Sequence, residues 1–159
     1  SDTAVELDLA LVINDAVDRN QVLAEQRGVK LVTSAIKGSR MVGDYEMLTT
    51  AVRNLVENAI AYSDKGSQVG IGLKEIGGVA EIAVTDSGIG ISEDEQERIF
   101  ERFYRVDPSR SRDTGGTGLG LSIVKHAASN HKGEVRLFSK EGVGSTFTLR
   151  LPIQNRETN

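Results

Sequence analysis

The chain contains no cysteine and no tryptophan, and among its 159 residues only two are proline and 4% are aromatic. Without cysteine there are no disulfides, no thiolate chemistry and no Cys-based zinc site. The two histidines, His126 and His131, do not form a His-Glu-x-x-His pair, so a zinc hydrolase helix is excluded too. Long apolar stretches are missing as well. The longest, Leu9 to Ile13, is far short of the roughly 20 residues that span a bilayer. No secretory leader is visible. Ser1 in place of an initiator Met reads as the edge of an excised piece, so the domain is expected in the cytoplasm while its parent is anchored in a membrane. The formal net charge of −4 argues against broad nucleic-acid binding, because phosphate backbones reward basic faces. It leaves room for a small anion held by a local cluster.

What remains is 38% hydrophobic and 26% charged, within the range of one soluble domain with one core. A short strand is predicted at Val5 to Leu7, with Asp8 capping a helix that runs to about Arg27 and stops at Gly28. Strands follow at Val29 to Ile36 and Arg40 to Val42. Asp44 caps a longer helix in which Leu48, Ala51, Val52, Leu55, Val56, Ala59 and Ile60 recur at helical spacing. After a turn at Asp64 to Ser67, strands at Gln68 to Lys74 and Val79 to Thr85 flank a Gly77-Gly78 hairpin. Ser92 with Glu95 forms a capping box for a short helix ending near Phe100. The chain is polar from Arg102 to Gly116, then helical from about Gly118 to Asn130. Strands at Glu134 to Ser139 and Ser145 to Leu151 close it. Segregated helices and hairpins predict an α+β two-layer sandwich rather than a doubly wound sheet. Strand alternation puts Ala80, Ile82, Val84 and Asp86 on one face, and Ser145, Phe147, Leu149 and Leu151 likewise. Asp86 and Ser145 are therefore polar exceptions at one end of the core.

Three groups of residues carry chemistry. Asn54 and Asn58 sit four apart on one helical stripe, where Asn is a poor helix former; Asn58 offers an oxygen ligand for Mg²⁺. Asp86-Ser87-Gly88-Ile89-Gly90 leaves a strand directly. Its carboxylate can accept from the exocyclic amine of adenine, where guanine presents an oxygen, and Gly88 and Gly90 allow close backbone approach. Gly115 to Leu121 leads into a helix, so its free amides form an anion site. It is not a P-loop, since no Gly-Lys pair occurs. Nor is it the dinucleotide fingerprint, since the residue three after Gly118 is Leu121. Arg102, Arg105, Arg110 and Arg112 lie between these groups and could clamp phosphates.

Their order is more specific than any one of them. Asn54-Leu55-Val56-Glu57-Asn58-Ala59, Asp86-x-Gly88-x-Gly90, Phe100-x-x-Phe103, Gly116-x-Gly118-x-Gly120 and Gly142-x-Gly144-Ser145 together resemble the catalytic ATP-binding domain of bacterial sensor histidine kinases. The stretch Phe100 to His126 looks particularly like phosphate-sensing kinases of actinobacteria. The resemblance implies a Bergerat α/β sandwich, with a mixed sheet of about five strands covered on one face by three helices. It implies ATP and Mg²⁺ as cofactors, and Asn58 as the metal ligand. Asp86, with Gly88 and Gly90, would hold adenine, Tyr62 would lie against the base, and Ser145 would complete the site. Arg105 would reach the terminal phosphate and, with Asn54, serve catalysis. Gly116, Thr117, Gly118, Leu119 and Gly120 would face the phosphates as a lid hinge. The implied partners are a histidine-bearing dimerisation domain of the same kinase and, downstream, a response regulator. Nucleic acid and direct membrane contact are not among them.

Two departures from the family pattern stand out. Ala61 replaces the basic residue that many relatives place three after the metal-binding Asn, so the helix side offers the phosphates no cation. Neither histidine has the neighbours of a phosphoacceptor, so only the catalytic half is present. Two other readings compete with the kinase: an ATP-hydrolysing switch of the gyrase, chaperone or mismatch-repair type, and a nucleotide-binding module without transfer. The switches place a water-activating Glu where this chain has Asn54, and an amide is no base.

Overall fold

The structure, a computed structural model, describes residues 3–34, 38–101 and 120–153. Strands β1 (Ala4–Asp8) and β3 (Arg40–Asp44) pair antiparallel as a separate two-stranded sheet. Strands β2 (Lys30–Ser34), β4 (Gln68–Ile76), β5 (Val79–Asp86), β6 (Glu134–Lys140) and β7 (Gly144–Pro152) form a five-stranded sheet in the order β2-β4-β5-β7-β6. Only β2 and β4 run parallel in it, so the sheet is mixed as expected.

Helix α3 (Tyr45–Ala61) is central: it packs on β4 and β5 and against α1 (Leu9–Asp18) and α5 (Gly120–Asn130). It starts where predicted because the Asp44 carboxylate accepts from the Met47 amide at 3.0 Å, satisfying an otherwise orphaned donor. Its apolar stripe, from Leu48 through Ile60, is fully buried against the sheet's inner face. The inner face alternates as read. Ala80, Ile82 and Val84 of β5 and Phe147, Leu149 and Leu151 of β7 are all buried.

Two expectations fail. The helix predicted from Asp8 to Arg27 is two helices, α1 and α2 (Gln21–Arg27). Asn20 makes the break. Its buried amide donates to the Ala16 and Arg53 carbonyls, both at 3.2 Å, so the chain turns to dock on α3 instead of continuing. The capping box at Ser92 and Glu95 does not form. Ser92 makes no side-chain cap bond, and α4 (Glu93–Gln96) ends well before Phe100. The Gln96 side chain instead donates to the Ile91 carbonyl at 2.8 Å, which ties this turn to the preceding loop. The helix start expected at Gly118 lies outside the described residues.

His131 holds the helical layer together. Its Nε2 accepts from the Asp44 amide at 3.0 Å, which leaves Nδ1 to donate to the Ala127 carbonyl at 2.8 Å. One ring thus links the end of α5 to the N-cap of α3. Gly43 makes room for it, since a Cβ there would stand 2.9 Å from the ring. His131→Ala should lower stability by about 1–3 kcal/mol, the cost of leaving a part-buried amide unpaired. Urea denaturation checks this, and an unchanged midpoint would contradict it.

Candidate functional site: a pocket at the end of the sheet

One register pair sets the site. Asp86 ends β5 directly across from Ser145 on β7, and both are buried. With Asn58 of α3, Tyr62 at its C-cap, and Gly90, Ile91 and Phe147, they line a small open pocket. Ile91, Phe147 and Tyr62 give it apolar walls, while Asp86, Ser145 and Asn58 are its polar side chains. Phe100 supports the floor, with its ring edge-on to Phe147 at 6.1 Å between centroids. Such a slot suits a flat, largely apolar group that carries a hydrogen-bond donor.

Asp86 accepts from the Gly88 amide at 2.9 Å. Burial pushes its carboxyl above the usual carboxylate range, and the backbone amides of Gly88 and Ser145 pull only partly the other way. The loop after Asp86 is built onto the β6–β7 hairpin. The Gly142 amide donates to the Ile89 carbonyl at 2.7 Å, and the Ile91 amide donates to Ser139 Oγ at 2.8 Å. Gly90 has φ +72°, and a Cβ there would stand 2.2 Å from the Lys140 carbonyl oxygen. Only glycine fits both the backbone and the space.

Of the residues singled out in the sequence, Asn58, Tyr62, Asp86, Gly90 and Ser145 meet in the pocket. Gly88 lies behind it and shapes the loop. Asn54 is not in the pocket lining; it faces the start of α5, and Gly120 packs on it. Its Nδ2 is buried without a hydrogen-bond partner. Arg105, Gly116, Thr117, Gly118 and Leu119 lie outside the described residues. The sequence reading missed Ile91 and Ser139 at this site. Ser139 carried a usable signal, since it follows Val135 and Leu137 on the inner face of β6 and is the polar exception there, as Asp86 and Ser145 are on their strands. His131 has both ring nitrogens occupied, far from a free nucleophile.

Among the described residues no group of three or more His, Asp or Glu could hold a metal ion. Asn58 places a side-chain amide oxygen, an atom of the kind hard cations accept as ligand, in the pocket lining. No helix among the described residues is long and apolar enough to cross a membrane.

Comparison with known proteins points the same way. Residues 43–155 match the family described as histidine kinase-, DNA gyrase B-, and HSP90-like ATPase. The chain is 55% identical over 146 residues to the sensor-like histidine kinase SenX3 of Mycolicibacterium smegmatis, covering 92% of this chain and 38% of that protein. It is 39% identical over 155 residues to the phosphate regulon sensor protein PhoR of Pseudomonas aeruginosa, covering 97% of this chain and 34% of that protein. It thus spans little more than a third of the length of these relatives. Among solved structures, the mycobacterial sensor histidine kinase MprB superposes with a TM-score of 0.81 at 30% identity, over 95% of this chain and 98% of that one.

Proposed function

The chain belongs to the histidine kinase-, DNA gyrase B- and HSP90-like ATPase family, and we propose that this domain binds Mg-ATP and gives its γ-phosphoryl group to a histidine on a separate dimerisation domain. The observation that carries the reading is the buried Asp86 carboxylate beside Ser145 in an apolar slot whose rim holds Asn58. Adenine fits that slot. Its exocyclic amine meets the Asp86 carboxylate, and its ring lies between Tyr62 and the wall of Ile91 and Phe147.

The sugar and phosphates then extend past Asn58 toward the start of α5. Bound Mg²⁺ would neutralise phosphate charge there, with the Asn58 amide oxygen as its protein ligand. Asn54, one turn earlier on α3, has an unpaired buried amide N–H to direct at an incoming oxygen. It cannot act as a base, which favours transfer to histidine over activation of water. Gly116, Thr117, Gly118, Leu119 and Gly120 would cover the phosphates. Arg105 would stabilise the charge that develops on the γ-phosphoryl group, since transfer of this kind runs on positioning and charge rather than covalent catalysis. The domain would work in the cytoplasm as part of a membrane-anchored kinase whose phosphohistidine supplies a response regulator.

The test mixes the domain, γ-labelled ATP and a histidine-bearing dimerisation domain, with and without EDTA. Acid-labile label on the dimerisation domain, lost with EDTA, is expected, with none on this domain alone. His131 is occupied, and His126 is exposed midway along α5, about 9 Å along the helix from Gly120. Stable phosphohistidine on the isolated domain, or label that survives EDTA, would overturn the reading.

A further inference from the structure

Ser139 does not line the pocket, yet its hydroxyl touches three groups that build it. It accepts from the Ile91 amide at 2.8 Å, lies 3.1 Å from the Gly144 carbonyl as donor, and lies 2.7 Å from Ser145 Oγ. A hydroxyl has one proton and two lone pairs. The Ile91 amide takes one lone pair. The Gly144 carbonyl can only accept, and the one arrangement that keeps all three contacts as hydrogen bonds gives it the proton. The remaining contact, with Ser145, then has one polarity: Ser145 donates and Ser139 accepts. Every group in the cluster is satisfied in this arrangement, as a part-buried network requires.

The consequence falls on Ser145, which does line the pocket. With its proton directed back at Ser139, it presents only lone pairs to a ligand. Directly across the strand pair stands Asp86, whose ionised carboxylate is likewise acceptor-only. The pocket floor is therefore a double acceptor. We infer that Ser139 is a specificity-determining residue for the base: by fixing the Ser145 hydroxyl as an acceptor, it makes the floor favour a 6-amino group over a 6-carbonyl group. This rests on the nucleotide reading above and deepens it, because it assigns base selectivity to a residue that touches no ligand.

Without the Ser139 hydroxyl, Ser145 loses its acceptor and its proton is free to turn toward the pocket. A carbonyl at the 6-position then finds a donor it lacked. ATP and ITP are the probes, since they differ at that position and at the adjoining ring nitrogen. Binding is measured by calorimetry on the wild-type domain and on Ser139→Ala, Ser139→Cys, Ser145→Ala and the Ser139→Ala/Ser145→Ala double variant. Ser139→Cys keeps the volume but offers a much weaker donor and acceptor, so it covers the case in which Ala disturbs the strand.

Wild type should prefer ATP. In Ser139→Ala and Ser139→Cys the ATP-to-ITP preference should shrink about fivefold, the factor for one neutral hydrogen bond. In the Ser145→Ala background, removing the Ser139 hydroxyl should leave the ratio unchanged. Equal weakening of both nucleotides, an unchanged ratio in either single Ser139 variant, or a ratio that still shifts when Ser145 is absent would overturn the inference while leaving the nucleotide reading standing. A wild-type domain that binds neither nucleotide would overturn the nucleotide reading and this inference with it.

Discussion

Replacing Asp86 with Asn is expected to weaken ATP binding by tens to a hundredfold or more while leaving the fold as stable as wild type or more so at neutral pH. The binding loss follows from which atom faces the ligand. The Gly88 and Ser145 amides both point at the Asp86 side chain. In Asn the Gly88 amide keeps the single oxygen, so the amide nitrogen takes the other position and sets a donor against the donor of adenine. A hydrogen bond to a charged group contributes about 1.5–3 kcal/mol, a factor of roughly ten to a hundred and sixty before any donor–donor repulsion. Calorimetry with ATP reads it, and wild-type affinity in Asp86→Asn would remove Asp86 from the base site.

The stability half rests on the sign of the linkage. Burial raises the Asp86 pKa above its unfolded value. In the window between the two values the folded state holds more protons, so stability falls as pH rises through it. Above the folded pKa the full cost of a buried charge is present; below the unfolded pKa it is gone. Asn carries no such charge, so the advantage of Asp86→Asn should appear near neutral pH and vanish in acid. Wild-type ATP affinity should run the opposite way, falling as Asp86 protonates, and doing so at higher pH than an exposed carboxylate would. Thermal melts across pH, with and without ATP, separate the two. A variant less stable than wild type at neutral pH would show that the hydrogen bonds to Asp86 outweigh its desolvation.

Features governed by local rules were legible in the sequence. Asp44 begins α3 because the cap and the apolar stripe agree, and Asp86 and Ser145 come together because alternation has period two. Features decided by distant partners were not. Asn20 breaks a helix because the Arg53 carbonyl is waiting for it, 33 residues on. Nothing local shows that. Ser92 looks like a cap, but Gln96 reaches the Ile91 carbonyl and the turn is organised by the pocket loop instead. The pairing of β1 with β3, away from the main sheet, is also a long-range choice. In the site, the polar residues could be picked out because they interrupt apolar patterns. Ile91 could not, because it looks like any other core residue until the loop is in place.

Gly88→Ala should damage fold and site together, and more than its chemistry suggests. Gly88 has no unusual φ, so the backbone itself tolerates alanine. The obstacle is steric: a Cβ there would lie 1.8 Å from the Tyr62 carbonyl oxygen and 3.1 Å from Asp86 Oδ1. A flexible side chain could move aside, but a carbonyl at the C-cap of α3 cannot without shifting the helix end. Overpacking of this kind costs about 1–3 kcal/mol, and backbone against backbone belongs at the upper end. The displacement also has a direction. It separates Tyr62 and the Asp86 loop, which line the pocket proposed for the base. Gly88→Ala should therefore lower the denaturation midpoint and cut ATP affinity at least about tenfold, the factor for 1.4 kcal/mol. Gly66→Ala is the control: Gly66 has nothing within 4 Å of a Cβ and lies outside the pocket lining, so its positive φ of 91° should lower stability while leaving ATP affinity unchanged. If Gly88→Ala bound ATP as wild type does, the close packing of the loop on Tyr62 would not be what holds the base site open.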